Sequence, residues 1–337
     1  MKRNSNFNVS ILGGGSWGTT VASLVARNSS CTLWARDQKT VDEINQHHTN
    51  SKYLPEASLP ESLYATTDLE EAVSGTDLLV MGVPSQGFRS VLSEIKPYVR
   101  PWIPVISLTK GLELSTGMRM SEIINEVLPC HPIGVLTGPN LAREIMGGSA
   151  AASVIAMEDS VIIKEVQRIF HSGLFRVYTN HDLIGCELGG VLKNIIAIAA
   201  GMGDGLGAGD NTRAAIITRG LAEMSRLGVA IGGEALTFSG LAGMGDLLAT
   251  ATSPQSRNRS VGYELGKGRT IDEIIADMYM VAEGVKSAPA VMKMANEYGI
   301  DMPIAREVYQ VITNERQARY AFRGLLRTEA GAESQSG

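Results

Sequence analysis

The 337-residue chain is poor in the residue types that build disulfide frameworks and metal sites. Its three cysteines, Cys31, Cys130 and Cys186, are scattered and form no C-x-x-C pair, so we expect reduced thiols and no disulfide framework. Its five histidines include one adjacent pair, His47-His48, and no H-E-x-x-H motif. The sequence therefore gives little support to a metal site.

An excess of charge and long apolar runs are also lacking. The formal net charge of −5 gives no reason to expect nucleic acid or an anionic membrane as a partner. The apolar runs are well short of the roughly 20 residues that span a bilayer. Residues 1–9 have neither the apolar segment nor the cleavage site of a signal peptide. We therefore expect a cytoplasmic protein without membrane insertion.

What the chain does have is enough length for two hydrophobic cores. Strand and turn signals alternate up to Asp182, and helical periodicity takes over from Leu188 to about Leu326. We predict an α/β, Rossmann-type dinucleotide-binding domain at 1–185 and an all-helical substrate and catalytic domain at 186–328. The polar residues 329–337 are predicted to be a disordered tail.

A glycine-rich motif follows the first predicted strand. Asn8–Leu12 is rich in β-forming residues, and Gly13, Gly15 and Gly18 then complete a G-x-G-x-x-G pattern before a helix predicted at 19–26. In such a motif the first glycine makes the tight turn, the second admits a pyrophosphate and the third lets helix and strand pack closely. The pattern alone is weak, but its place between strand and helix predicts a dinucleotide site.

The end of the second predicted strand bears on the choice of dinucleotide. An acidic residue there binds the 2′-hydroxyl of NAD, whereas an arginine accommodates the 2′-phosphate of NADP. The sequence offers Arg36 first and Asp37 next. This order favours NADP (NADPH) and leaves NAD (NADH) possible, and Arg36 stacking on adenine without selectivity is the alternative.

Further apolar strands predicted in the first domain end in turns. Because open α/β sheets bind ligands beyond the carboxyl ends of their strands, Lys110 and Gly138 stand at positions typical of a site. Either turn alone is also consistent with an ordinary loop. Ser85 is predicted to cap a helix. The strands are predicted at 77–85, 103–108 and 134–137, with 152–156 and 175–178 as extensions of the sheet.

The second domain begins with a lysine inside an apolar helical run. Leu192, Ile195 and Ile196 surround Lys193 at helical spacing and bury its stem. Loss of water lowers the pKa of an ammonium, which makes a lysine usable as an acid or base near neutral pH. Gly189 indicates a close approach to the backbone nearby. The alternative is a lysine that reaches water and carries no chemistry.

Three more segments of this domain stand out. Asp246 lies in an apolar, glycine-rich setting, where a carboxylate needs a cationic partner, and Lys193 is a candidate. Residues 255–259 form a predicted cationic turn able to hold a phosphate, or else a solvated loop. The glycine-rich residues 201–211 are predicted to be a loop, since they lack the Lys and Ser/Thr of a P-loop.

Six motifs in this order resemble those of bacterial NAD(P)-dependent glycerol-3-phosphate dehydrogenase, and the resemblance extends from about Asn8 to Leu326. The motifs are Gly13-Gly14-Gly15-Ser16-Trp17-Gly18-Thr19, Thr109-Lys110-Gly111-Leu112-Glu113, Gly138-Pro139, Leu188-Gly189-Gly190-Val191-Leu192-Lys193-Asn194, Gly243-Met244-Gly245-Asp246-Leu247 and Ser256-Arg257-Asn258.

The resemblance implies roles for individual residues. Lys193 matches the proton acceptor of the family. The chemistry of ketone reduction adds the expectation that Asp246 orients Lys193. Asn140 stands where the family often has a serine or threonine. The implied substrate-binding residues are Lys110, Gly138, Asn140, Lys193, Asp246, Ser256, Arg257 and Asn258. The implied cofactor-binding residues are Gly13, Gly15, Ser16, Trp17, Gly18, Arg36, Lys110, Ala142, Arg257, Val281 and Glu283.

The implied function is the interconversion of dihydroxyacetone phosphate and sn-glycerol 3-phosphate with NAD(P)H, which would supply phospholipid synthesis. A homodimer is expected from the apolar helical domain. Two alternatives remain at this point. One is a related two-domain dehydrogenase of another small phosphorylated or hydroxy-acid substrate, and the other is a dinucleotide sensor without turnover.

Overall fold

The computed structural model of the protein describes residues 7–278 and 282–321. Val281 and the tail predicted at 329–337 lie outside these ranges. The chain forms two compact units. One contains the described residues up to Thr109 together with Met118–Leu183, and the other contains Lys110–Gly117 and the described residues from Ile184 onward. Residues 110–117, which a boundary at 185 assigns to the first domain, thus pack with the second unit.

The first unit is an α/β structure. Its strands are β1 (Asn8–Leu12), β2 (Ser30–Trp34), β3 (Thr49–Asn50), β4 (Leu54–Ser58), β5 (Leu63–Thr66), β6 (Leu78–Met81), β7 (Val105–Ser107), β8 (Ile133–Thr137), β9 (Ala151–Met157) and β10 (Phe175–Asn180). Its helices are α1 (Ser16–Val25), α2 (Gln38–His47), α3 (Leu69–Val73), α4 (Ser85–Ile95), α5 (Met120–Val127), α6 (Ala142–Met146) and α7 (Ile162–Phe170).

Among the described residues, eight strands form one sheet in the order β10-β9-β8-β7-β6-β1-β2-β5. All neighbours are parallel except β8 and β9, which are antiparallel. The chain extends the sheet from β1 through β2 to β5 and then returns to β6 on the other side of β1. The strand order therefore reverses between β1 and β6, which is the switch point where such sheets bind ligands.

Side chains that alternate along the strands build a core on each face of this sheet. Val9 and Ile11 belong to one apolar cluster, whereas Leu12 belongs to another with Leu79 and Met81. The prediction of a Rossmann-type domain is confirmed, as is the extension of the sheet near residues 152–156 and 175–178. The prediction that Ser85 caps a helix is wrong, because Pro84 holds the capping position and Ser85 is the first helical residue.

The second unit is helical, and its described residues contain no strand. Its helices are α8 (Leu183–Gly205), α9 (Asp210–Ala230), α10 (Ala235–Ser239), α11 (Asp246–Thr252), α12 (Arg257–Gly266), α13 (Ile271–Ala276), α14 (Glu283–Glu297) and α15 (Pro303–Ile312), with a π-helical turn at Leu241–Gly245. Helix α8 is the only described helix long and apolar enough to cross a membrane, but 89% of its most apolar window is buried inside the protein. It is a core helix, and no membrane insertion is indicated.

The loop predicted at 201–211 is wrong up to Gly205, because α8 continues to that residue, and it is wrong from Asp210 onward, where α9 begins. A Cβ atom on Gly201 would lie 2.1 Å from the carbonyl oxygen of Arg259, and one on Gly205 would lie 2.2 Å from that of Tyr263. Both partners belong to α12. The glycines therefore serve the close packing of two helix backbones, and they do not mark a loop.

Candidate active site

The glycine motif lies at the switch point of the sheet, after β1. Gly13 has a φ of 130°, which favours glycine, and a Cβ on it would lie 2.6 Å from the carbonyl carbon of Gly82 at the end of β6. A Cβ on Gly18 would lie 1.9 Å from the carbonyl oxygen of Gly13. Helix α1 begins at Ser16, three residues before the predicted start, so Gly18 packs the helix directly onto the turn.

Gly15 differs from the other two glycines because its space is open. It precedes α1 in an extended conformation, and no atom outside its chain neighbours lies within 4 Å of a Cβ built on it. The first amides of α1 have no partners within the helix and carry its positive dipole end. A phosphate group fits at this position, so the residues of the turn suit a dinucleotide.

The contrast between Gly18 and Gly15 yields a prediction for two matched variants. Gly18→Ala should lower the free energy of unfolding by about 3 kcal/mol, because its methyl group overlaps the Gly13 carbonyl. Gly15→Ala should change stability by less than about 1 kcal/mol while weakening NADPH binding at least about tenfold, because its methyl group fills the phosphate space. Urea unfolding and NADPH fluorescence titration measure these effects. Equal stability losses in both variants would contradict the assignment.

Ser16 and Trp17, both predicted to contact the dinucleotide, have partners within the first unit. The Ser16 hydroxyl donates to the carbonyl of Tyr53 at 3.1 Å. The Trp17 ring packs edge-on against Phe175, with ring centres 6.2 Å apart. Its Nε1–H is buried and has no hydrogen-bond partner among the described residues. Their contacts with a cofactor stay predictions.

Arg36 and Asp37 differ in how they are engaged after β2. Asp37 caps α2 by accepting from the backbone N–H of Lys39, and it pairs with Lys52 at 3.5 Å. These bonds lower the pKa of its carboxyl. Arg36 is exposed, and no ion pair ties it to another described residue. Arg36 is therefore the less engaged of the two residues, and its contact with the 2′-phosphate of NADP stays a prediction.

The turn after β8 carries Gly138 and Asn140, with Ala142 at the start of α6. Gly138 has a φ of 130°, and a Cβ on it would lie 3.2 Å from the Cα of Ser153. Asn140 Oδ1 accepts from the Ser153 hydroxyl at 2.5 Å. Its Nδ2 is buried and has no partner among the described residues. The contact of Asn140 with the substrate stays a prediction.

In the second unit, one carboxylate joins two lysines. Asp246 Oδ1 lies 2.7 Å from Lys193 Nζ, and Oδ2 lies 2.6 Å from Lys110 Nζ. The side chains of Lys193 and Asp246 are 8% and 3% exposed, respectively. The contact predicted between Lys193 and Asp246 is confirmed. Lys110 belongs to residues 110–117, which pack with this unit, and Leu112 of the same segment lies in its apolar core.

Close backbone packing brings this pair together. A Cβ on Gly189 would lie 2.5 Å from the carbonyl oxygen of Ala242, so only glycine admits the π-helical turn against α8. Lys193 follows Gly189 by four residues, and Asp246 follows Ala242 by four residues, so each lies on the same helix face as its contact point. The π-helical turn thus presents the carboxylate to the ammonium, and the close approach predicted at Gly189 is confirmed.

Burial lowers the pKa of Lys193 to about 8. Loss of water is the largest cause, Asp246 opposes it, and the positive charge of Lys110 lowers the pKa further. Such a lysine exchanges its proton near neutral pH, whereas an ordinary lysine has a pKa of about 10.4. The cluster is therefore suited to acid–base chemistry.

Thr250 is a site residue that the sequence pattern did not single out. Its hydroxyl accepts from Lys193 Nζ at 2.6 Å and donates to the backbone carbonyl of Asp246 at 2.7 Å. Asp246 and Thr250 thus hold two N–H groups of the lysine. The third has no acceptor among the described residues. The sequence signal for Thr250 was its spacing of four residues from Asp246, because this spacing puts both side chains on one face of α11.

The residues predicted to hold a phosphate are at the start of α12. The expectation of a turn at 255–259 is wrong beyond Ser256, which caps the helix by accepting from the N–H of Arg259. Arg257 is the first helical residue, is exposed, and forms no ion pair with any described residue. A cation beside a helix N-terminus is a suitable place for an anion.

Asn258 is buried and connects three helices. Its Nδ2 donates to Asn194 Oδ1 at 2.9 Å, and its Oδ1 accepts from the N–H of Gly284 at 2.9 Å. Asn194 is next to Lys193 on α8, and Glu283 opens α14 beside Gly284. The amide therefore fixes the start of α12 relative to the catalytic lysine candidate and retains one N–H for a ligand.

A dinucleotide-binding turn in one unit and a desolvated lysine with its carboxylate in the other define a nicotinamide-dependent oxidoreductase. Comparison with known proteins agrees. The model of the NAD-dependent glycerol-3-phosphate dehydrogenase N-terminus matches residues 8–162, and that of its C-terminus matches residues 182–323. The chain belongs to the NAD-dependent glycerol-3-phosphate dehydrogenase family and is an enzyme.

Individual relatives and one solved structure support the assignment over the whole length. The chain is 66% identical to glycerol-3-phosphate dehydrogenase (NAD(P)+) 2 of Sphingopyxis alaskensis, covering 98% of this chain and 99% of the relative. It is 55% identical to the enzyme of Mycobacterium avium, over 96% of each. The crystal structure of glycerol-3-phosphate dehydrogenase from Coxiella burnetii superposes with a TM-score of 0.91 at 37% identity, covering 96% of this chain and 99% of that one.

Proposed function

We propose that the protein interconverts dihydroxyacetone phosphate and sn-glycerol 3-phosphate, with Lys193 as the proton donor and acceptor. The observation that carries this proposal is the buried Lys193, held by Asp246 and Thr250 with its pKa lowered to about 8. Bound NADPH or NADH supplies the hydride that reduces the carbonyl carbon.

Lys193 acts on the oxygen of the substrate. In ketone reduction, its free N–H donates to the carbonyl oxygen and transfers a proton as the alkoxide forms, leaving a neutral amine. In alcohol oxidation the neutral amine removes the hydroxyl proton. Asp246 and Thr250 hold Nζ in place during both ketone reduction and alcohol oxidation.

Lys110 and Asp246 set the charge around this reaction. Two ammonium groups and one carboxylate give the cluster a net charge of +1 when both lysines are protonated. A positive site stabilises the negative charge that develops on the substrate oxygen. Lys110 therefore serves as an electrostatic group that contacts substrate and cofactor.

The phosphate of the substrate binds at the start of α12. Arg257 pairs with it, assisted by the Ser256 hydroxyl and the remaining Asn258 N–H, beside the amides of the helix N-terminus. Asn140 of the first unit is a further proposed substrate contact through its Nδ2, which has no hydrogen-bond partner among the described residues. Gly138 is proposed as a contact from the family resemblance alone. The cofactor is held by the turn from Gly13 to Gly18 and by Arg36, with Ala142 and Glu283 as further contacts.

A comparison of two ketones tests the proposal. We expect rapid NADPH oxidation with dihydroxyacetone phosphate and a far lower kcat/KM with dihydroxyacetone, which lacks the phosphate. NADH should replace NADPH with a higher KM, because Arg36 is free for the 2′-phosphate. Folded protein that binds NADPH and reduces neither ketone would contradict the proposed substrate.

Arg257→Ala should raise the KM for dihydroxyacetone phosphate about 30-fold, because a charge-assisted hydrogen bond to phosphate contributes about 1.5–3 kcal/mol. The kcat/KM for unphosphorylated dihydroxyacetone should stay the same, since no phosphate is involved. Steady-state kinetics on both ketones provides the internal control. An equal loss on both would show that Arg257 does not read the phosphate.

Three broader proposals rest on the family resemblance and the composition. The product glycerol 3-phosphate supplies phospholipid synthesis, the enzyme works in the cytoplasm, and it forms a homodimer through its helical unit. Size-exclusion chromatography with light scattering tests the last of these, with a mass of twice 35.9 kDa expected.

A further inference from the structure

A buried asparagine outside the glycine motif holds that motif in place. Asn50 lies at the end of β3 and is fully buried. Its Nδ2 donates to the carbonyl of Gly14 at 3.0 Å and to the hydroxyl of Thr19 at 2.9 Å. The two N–H groups of one amide therefore link the glycine-rich turn to the start of helix α1.

A third hydrogen bond ties the same two segments together. The Ser16 hydroxyl donates to the carbonyl of Tyr53, three residues after Asn50. Residues 50–53 thus contact the turn before and after Gly15, the glycine whose surroundings are open. The amides between these two attachments are the ones that face a phosphate. Their direction depends on how firmly the turn is held.

We propose that Asn50 is a positioning residue for dinucleotide binding, acting through the Gly14 carbonyl and the Thr19 hydroxyl. Its side chain is fully buried and donates to both of these acceptors, so it acts through the groups that it holds. Its role is to preorganise the turn, so that binding does not have to order the amides. Because the pyrophosphate is common to NADPH and NADH, Asn50 acts equally on both.

The test measures dissociation constants by fluorescence titration on the protein without substrate. Asn50→Ala should raise the Kd of NADPH and of NADH by the same factor, about tenfold. The ratio of the two constants should stay at the wild-type value, and kcat at saturating cofactor should be retained. Asn45→Ala is the matched control, because Asn45 makes two hydrogen bonds to the backbone of Ala65 in the same unit. It should lose comparable stability without any change in Kd.

Thr19→Val provides a second variant of nearly equal volume, which tests the same contact if Asn50→Ala does not fold. It should raise both constants about threefold, and the double variant should show less than the product of the single effects. An unchanged Kd in the folded variants, with only a loss of stability like that of Asn45→Ala, would overturn the proposal. A rise for NADPH alone would overturn it as well, since that would place Asn50 at the 2′-phosphate. The outcome is independent of which ketone the enzyme reduces.

Discussion

Lys193→Ala is expected to lower kcat for the reduction of dihydroxyacetone phosphate about 10³-fold, within the range that a positioned general acid contributes. The variant removes the third N–H group of Lys193 Nζ, the one that neither Asp246 nor Thr250 accepts. Its fold should be retained, because Asp246 keeps its ion pair with Lys110. Its affinity for NADPH should change little, because the proposed contacts at Gly13–Gly18, Arg36 and Lys110 are untouched. The loss of NADPH absorbance in the steady state measures the effect.

Two companion variants separate proton transfer from charge and from orientation. Lys193→Arg keeps a positive charge but cannot give up a proton near neutral pH, so its kcat should fall as far as that of the alanine variant. Thr250→Val keeps the volume and the lysine but removes one of the two groups that hold Nζ, so a loss of about tenfold is expected. An arginine variant that retained most of the wild-type rate would show that charge alone suffices.

Asp246→Asn is expected to have the second-largest effect, a fall in kcat of about 10²-fold. The asparagine leaves Lys193 and Lys110 without the carboxylate that both contact. Because Asp246 raises the pKa of Lys193, its loss should move that pKa below about 8. The rate of ketone reduction, which needs the protonated amine, should then decline at lower pH than in the wild type. Unfolding should also become easier, since breaking a buried ion pair costs about 3 kcal/mol.

The matched control is Asp204→Asn. Asp204 is also a carboxylate of the second unit with little exposure, 6% for its side chain, and it pairs with two cations, Arg213 at 2.8 Å and Arg259 at 2.7 Å. Its variant should lose stability, but the pH at which the rate declines should stay at the wild-type value. If both variants shifted the pH dependence alike, the effect would reflect general destabilisation and the role given to Asp246 would be wrong.

Local sequence patterns predicted the parts of the protein that depend on short-range chemistry. Gly18 packs against the carbonyl of Gly13 within the same turn, and Gly15 leaves open space there, so the spacing of the motif was sufficient. Lys193 could be recognised because its apolar neighbours on one helix remove water from it. The need of a buried carboxylate for a cation then pointed from Asp246 to Lys193.

The contacts that could not be predicted join distant segments. Gly201 and Gly205 carry the local signature of a loop, and only their packing against α12 shows why glycine is required in a helix. Lys110 reaches Asp246 across 136 residues, which no local pattern reports. Asn50 likewise lies 36 residues from the carbonyl it holds. Long-range hydrogen bonds of this kind depend on the assembled fold.

The pH dependence of kcat/KM in both directions tests the role of Lys193 most directly. Ketone reduction requires the ammonium form, so its rate should fall as pH rises through about 8, and glycerol 3-phosphate oxidation should rise over the same range. In Lys110→Gln both midpoints should move to higher pH, because the charge that lowers the pKa of Lys193 is gone. Midpoints far from 8, or midpoints unmoved by Lys110→Gln, would contradict the assignment of Lys193 as the proton donor.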